Sequence, residues 1–163
     1  MANKEEKRWQ KIEQWVAAYT GGELTKGSGN VHADSDVISD DAVYEVKYIG
    51  YPKLTYTVEE KYLERVYENA VVRGKIPYLV LYFEKKKTAY FFRVIYNSYA
   101  RFYSKGDKIY ISLQKDDINI DKIMHLKFPY VLVKEKAVYY NIDTGECYVK
   151  EETDGIFENL SCA

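Results

Sequence analysis

Asp36, Glu45 and Lys47, within the run "DVISDDAVYEVK", are the residues whose types and spacing could do chemistry. If 42–49 is a strand, side-chain alternation puts Glu45 and Lys47 on one face. A hairpin turning at Asp40-Asp41 would then set Ser39 opposite Ala42, Ile38 opposite Val43, Val37 opposite Tyr44 and Asp36 opposite Glu45. A four-residue loop on the same centre keeps that register. Directly opposed Cβ atoms lie roughly 4.5–5.5 Å apart, so the two carboxylates repel. Lys47 offsets part of that repulsion. A divalent cation would offset more, because hard oxygen ligands converging from neighbouring strands suit Mg²⁺. The alternative is a solvated strand face with an ordinary Glu-Lys pair.

Glu-x-Lys is not distinctive by itself, since it recurs at Glu5/Lys7, Glu59/Lys61 and Glu84/Lys86. The copies at 5 and 59 fall in expected helices and the copy at 84 in a lysine-rich turn. Only the copy at 45 falls in a strand.

The elements that must position these residues follow from periodicity and punctuation. Residues 4–20 read as a helix with Trp9, Ile12, Trp15, Val16 and Tyr19 in one apolar stripe, stopped by Gly21-Gly22. Glu13 borders that stripe. "ELTK" is a short strand, "GSGN" a turn, and 36–39 and 42–49 are strands. "TVEE" at 57–60 has the form of a capping box opening a helix that closes at Gly74. "IPYLVLYF" reads as a central strand buried on both faces, and "EKKK" turns it into the strand "TAYFFRVIY". Further on, "KIYISL" and "YVLV" are strands, and Asp143-Thr144-Gly145 turns a hairpin. This order predicts an α/β fold with a mixed sheet.

At 163 residues and 47% hydrophobic, the chain suits one core, a single domain over 1–150 followed by a flexible tail at 151–163. No apolar run reaches the roughly 20 residues of a membrane helix, and the charged start "MANKEEKRWQ" is unlike a signal peptide. A soluble cytoplasmic protein with no membrane partner is expected, its Cys147 and Cys162 reduced. The net charge of -1 excludes a uniformly basic nucleic-acid binder. Residues 83–136, however, hold twelve Lys/Arg against six Asp/Glu, which would let one face take phosphate or would guard strand edges. The eighteen tyrosines suit strands, interfaces and base stacking alike. A phosphate-binding P-loop, a zinc centre and a Ser-His-Asp triad all lack their motifs. His32 and His125 are the only histidines, and His32 reads as loop decoration.

"GSGNVHADSDV" followed by "YEVKY", a capped helix and "GKIPYLVLYF" resembles the PD-(D/E)XK nuclease superfamily, and within it the archaeal and phage Holliday junction resolvases. The likeness spans residues 10–83, about half the chain. It implies a restriction-endonuclease-like mixed central β-sheet flanked by helices. It also implies a Mg²⁺-dependent endodeoxyribonuclease, with Mn²⁺ as a substitute ion, that resolves four-way DNA junctions by paired phosphodiester hydrolysis as a twofold homodimer. The small intracellular chain would suit phage recombination or packaging.

On that resemblance Asp36, Glu45 and the carbonyl of Val46 bind the metal, with Lys47 as catalytic partner. Glu13, with Glu6 as its rival, supplies the helix carboxylate, catalytic or ligating a second ion. Gly27, Ser28 and Gly29, beside Lys26, would hold DNA phosphate, and Lys61 would reach the site from the following helix. The tyrosine-rich strands at 78–103 would form the dimer interface, with the lysines at 85–87 flanking the DNA. The alternatives are a nuclease of the same chemistry acting on restriction sites, ends or flaps, and a non-catalytic DNA-binding protein.

Overall fold

A computed structural model of the chain describes residues 7–25, 36–98, 108–114, 117–120 and 129–152. Helix α1 (Arg8–Thr20) packs Ile12, Trp15, Val16 and Ala17 inward and ends where Gly21 takes the left-handed conformation at φ 71°. Trp9, the first residue of the expected stripe, is partly exposed. Two long-range contacts dock the helix. Trp15 stacks on Tyr140 with centroids 4.5 Å apart, and Arg8 grips Glu84 through two donors, at 2.7 and 3.1 Å.

After α1 come β1 (Glu23–Leu24), β2 (Val37–Ile38) and β3 (Ala42–Ile49), then β4 (Thr55–Glu59), α2 (Glu60–Arg73) and β5 (Ile76–Phe83). A 3-10 turn at Glu84–Lys86 leads into β6 (Thr88–Tyr96), followed by β7 (Lys108–Gln114), β8 (Asp117–Ile120), β9 (Tyr130–Tyr140) and β10 (Cys147–Glu152). Seven strands form one mixed sheet in the order β1-β2-β3-β5-β6-β9-β10, and β4-β7-β8 form a second. The protein is therefore mixed α/β. Its large sheet has one parallel pair, β3 with β5, joined by the crossover through β4 and α2. A parallel neighbour requires such a crossover. No described helix is long and apolar enough to cross a membrane.

Alternation along β3 divides the core into two layers. Val43 and Ile49 pack with Leu63, Val66, Leu79 and Leu81 on the α2 side, whereas Tyr44 and Val46 pack with Ile12, Trp15 and Val16 on the α1 side. Glu45 and Lys47 share the phase of Val43 and Ile49, so they face α2. Strand β5 is buried from Tyr78 to Phe83, as a central strand should be.

Two sequence expectations are corrected. Thr57 does not cap α2; it lies inside β4, opposite Tyr110 of β7, and Glu59 stands at the helix start without a side-chain cap bond. The partner strand lies some fifty residues away in the chain, so the local pattern could not show the ladder that claims Thr57. Second, three of the four tyrosines of β5 and β6 are buried, Tyr82 at 0% and Tyr90 at 2% exposed, and of the four only Tyr96, at the end of β6, is open at 52%. The phenol of Tyr82 donates to the Tyr140 carbonyl at 2.6 Å and that of Tyr78 to Glu135 at 2.7 Å. Internal acceptors for the hydroxyls let these large rings fill the core. The remainder of the 78–103 interface expectation, from 99 onward, lies outside the described residues; of the expected tail at 151–163, Glu151 and Glu152 instead belong to β10, paired with Ala137 and Lys136 of β9, and the rest lies outside the described residues.

Gly22 holds the α1–β1 turn against β2. A Cβ there would lie 2.8 Å from the Ile38 carbonyl oxygen and 3.0 Å from Val37 Cγ1. Gly22→Ala is expected to push β2 outward and lower stability by about 1–3 kcal/mol, measured by urea denaturation. A change within about 0.5 kcal/mol of wild type would refute the close approach.

Candidate functional site

The β2–β3 hairpin has the expected register: Ile38 opposes Val43 and Val37 opposes Tyr44. Ser39 locks the turn. Its amide donates to the Ala42 carbonyl at 2.9 Å, and its hydroxyl accepts from the Ala42 amide at 3.1 Å. Ladder pairing stops after Val37, and the Asp36 side chain continues it by other means. Oδ2 of Asp36 accepts the Val46 amide at 2.9 Å, while its own carbonyl accepts the Thr25 amide at 3.1 Å. In a strand the N–H and C=O of one residue point to the same side, so the Val46 carbonyl faces the edge that Asp36 occupies.

Glu45 is the most deeply buried charge of the site, 1% exposed. Its Oε2 receives Arg65 Nη2 at 2.7 Å and Lys47 Nζ at 3.1 Å, whereas Oε1 is buried with no hydrogen-bond partner among the described residues. The Lys47 ammonium also sits 3.4 Å from the centroid of the Tyr62 ring, a cation–π contact that holds it half-buried. Tyr62 and Arg65 both come from α2, which explains why the crossover helix must lie over this face of β3.

Glu13 approaches from α1, on the opposite layer. Burial pushes its carboxyl up to about 7, the charges of Asp36 and Glu45 push the same way, and Lys47 opposes them. Asp36 is pushed up to about 6, first by burial and then by Glu45, against the pull of the Val46 amide, Lys47 and Arg65. Three carboxylates thus sense one another. They do not close on a common point: among the described residues no three His, Cys, Asp or Glu side chains converge closely enough to hold an ion. Their protein partners explain the spacing, since the Val46 amide restrains Asp36 and two cations restrain Glu45.

The donor set nevertheless fits a hard divalent cation. Carboxylate and carbonyl oxygens are its preferred ligands, one oxygen of a buried carboxylate lacks a partner among the described residues, and added positive charge would relieve the repulsion that, after burial, raises Asp36 and Glu13.

Of the residues singled out from sequence, the structure brings Asp36, Glu45, Val46 and Lys47 together and sets Glu13 within electrostatic reach. Lys61 is at the rim: its side chain is 69% exposed, and its ammonium lies 3.6 Å from Glu59 and 5.1 Å from the Tyr62 centroid. Lys26, Gly27, Ser28, Gly29, Glu6, His32 and His125 lie outside the described residues. Sequence reasoning missed Arg65 and Tyr62. Arg65 follows Lys61 by one helical turn and shares its face, and that spacing was the available signal.

Comparison of the chain with family models, with curated proteins and with solved structures found no match.

Proposed function

We propose that this chain is a metal-dependent DNA endonuclease that resolves four-way junctions. The observation that carries the reading is Glu45, buried with one carboxylate oxygen doubly paired and the other without a partner among the described residues, while Asp36, just before β2, binds the amide of the next residue, Val46. The element order supports it. A helix with Glu13 precedes a hairpin entered at Asp36 and bearing Glu45-x-Lys47 on β3, and after β4 come α2 and the buried strand β5 parallel to β3, close to the order that the nuclease resemblance implies.

Asp36, Glu45 and the Val46 carbonyl would hold the divalent cation, and Glu13 would hold a second. Such an ion supplies a more acidic water and neutralises charge on the scissile phosphate. The chain's own groups do the rest. The Val46 amide orients Asp36, and the α2 side chains keep bulk water from Glu45. Lys47, fixed by Glu45 and Tyr62, offers Nζ–H to an oxygen that gains charge as the phosphodiester opens. In the cation-free protein Glu13 is pushed up to about 7, so an ion bound there would displace its proton near neutrality. Resolving a junction by two symmetric cuts would need a twofold pair of such sites, on a surface other than the buried Tyr78, Tyr82 and Tyr90.

Cleavage of a synthetic four-way junction and of a matched linear duplex, with Mg²⁺ or with chelator, tests the reading. Paired nicks in the junction alone, abolished by chelator, are expected. Equal cutting of the linear duplex would remove the junction assignment and keep the nuclease, and cutting of neither would remove both.

A further inference from the structure

Two arginine–glutamate contacts in this protein differ in a way that bears on the site. Arg8 meets Glu84 fork to fork: Nε donates to Oε1 at 2.7 Å, Nη2 donates to Oε2 at 3.1 Å, and the Tyr48 hydroxyl adds a third bond at 2.8 Å. That is how a guanidinium and a carboxylate bind when the pair is purely structural. Arg65 meets Glu45 through one contact only, Nη2 to Oε2 at 2.7 Å. Arg65 Nε and Glu45 Oε1, the atoms a second bond would use, are both buried with no partner among the described residues. The Oε2 that Arg65 holds is already taken by Lys47 at 3.1 Å.

We propose that Arg65 is an exchangeable counterion, which neutralises Glu45 in the cation-free protein and turns to a phosphate oxygen of the DNA once a divalent cation occupies the carboxylate. The inference rests on the nuclease reading above.

Three features make the exchange physically reasonable. Two cations on one carboxylate oxygen over-compensate it, so a third positive group arriving at Glu45 repels the more mobile one. Lys47 is held at short range over the Tyr62 ring, whereas the Arg65 guanidinium carbon lies 5.3 Å from that ring and its side chain is 37% exposed. Arg65 is thus the cation with room to move. A planar guanidinium with an unused Nε–H is also suited to a phosphate, which accepts two parallel bonds.

Calorimetric titration of DNA-free protein with Ca²⁺ and with Mn²⁺ at pH 8, in wild type and Arg65→Gln, separates the outcomes. Removing the competing cation is expected to tighten ion binding by about tenfold. The same substitution should weaken junction binding in Ca²⁺ by about tenfold. In wild type, the Nε–H nuclear resonance of Arg65 should shift as Ca²⁺ is added, and this measurement decides alone if Arg65→Gln does not fold. Unchanged or weaker ion binding in Arg65→Gln, or an unmoved Nε–H resonance while wild type binds the ion, would overturn the exchange and leave the nuclease reading standing. Failure of both proteins to bind either ion would overturn the two together.

Discussion

Glu45→Gln is expected to abolish cation-dependent strand cleavage, by at least about a thousandfold, because a bound ion contributes several kcal/mol of charge stabilisation to phosphoryl transfer. It should also destabilise the fold. The substitution leaves Lys47 and Arg65 facing a neutral amide, and removing one partner of a buried pair costs about 3–5 kcal/mol. Partial exposure of both cations discounts this to roughly 2–3 kcal/mol.

Glu59→Gln is the informative control. It alters another Glu-x-Lys, one whose ion pair at 3.6 Å lies on the surface, and should change neither cleavage nor stability by more than about 0.5 kcal/mol. Nicking assays with urea denaturation of both variants check the pair of expectations. Full activity in Glu45→Gln would return the buried carboxylate to a structural role, with Arg65 and Lys47 as ordinary counterions.

The hairpin that carries the site was legible because two independent signals agreed: period-two alternation on both strands and a turn at Asp40-Asp41. Together they fixed the pairing of Val37 with Tyr44 and of Ile38 with Val43, which leaves Asp36 beside the Glu45-Val46 end of the ladder. The buried strand at 76–83 was legible for a related reason, since a continuous apolar run flanked by charged turns has one reading in a mixed sheet. Thr57 was misread because a capping motif is local while the β4–β7 ladder that overrides it is not. Tyr78 and Tyr82 were misread because composition does not say where hydroxyls find acceptors: they enter the core because Glu135 and the Tyr140 carbonyl lie within reach. Arg65 belongs to the same class of miss. Its partner Glu45 is twenty residues away, across a crossover whose angle depends on the packing of Leu63, Val66 and Ala70, and no spacing rule supplies that angle.

The second large effect is on pH dependence, and its sign reverses with the cation. Glu13 and Asp36 are raised to about 7 and about 6 from ordinary carboxylate values near 4. A carboxyl raised in the folded state binds its proton more tightly folded than unfolded. Its stabilising contribution is therefore full below about pH 4 and is lost as pH rises through the folded value. Without divalent ions, the protein should lose stability between about pH 4 and pH 8, by roughly 2–3 kcal/mol after discounting for the solvent exposure of Glu13 and for the coupling of the two groups. A cation binds the ionised carboxylates and competes with those same protons. Its affinity should rise across this window, and the gap in Tm between Mg²⁺ and chelator should widen from near zero at pH 5 to its maximum at pH 8. Near pH 6, binding should release protons, seen as a calorimetric enthalpy that varies with the ionisation enthalpy of the buffer. Asp36→Asn should narrow the gap and reduce the proton release, because it removes one of the two raised groups. A Tm gap independent of pH, with no proton release, would mean that the ion binds away from Glu13 and Asp36, and the site would then have to be sought elsewhere on the chain.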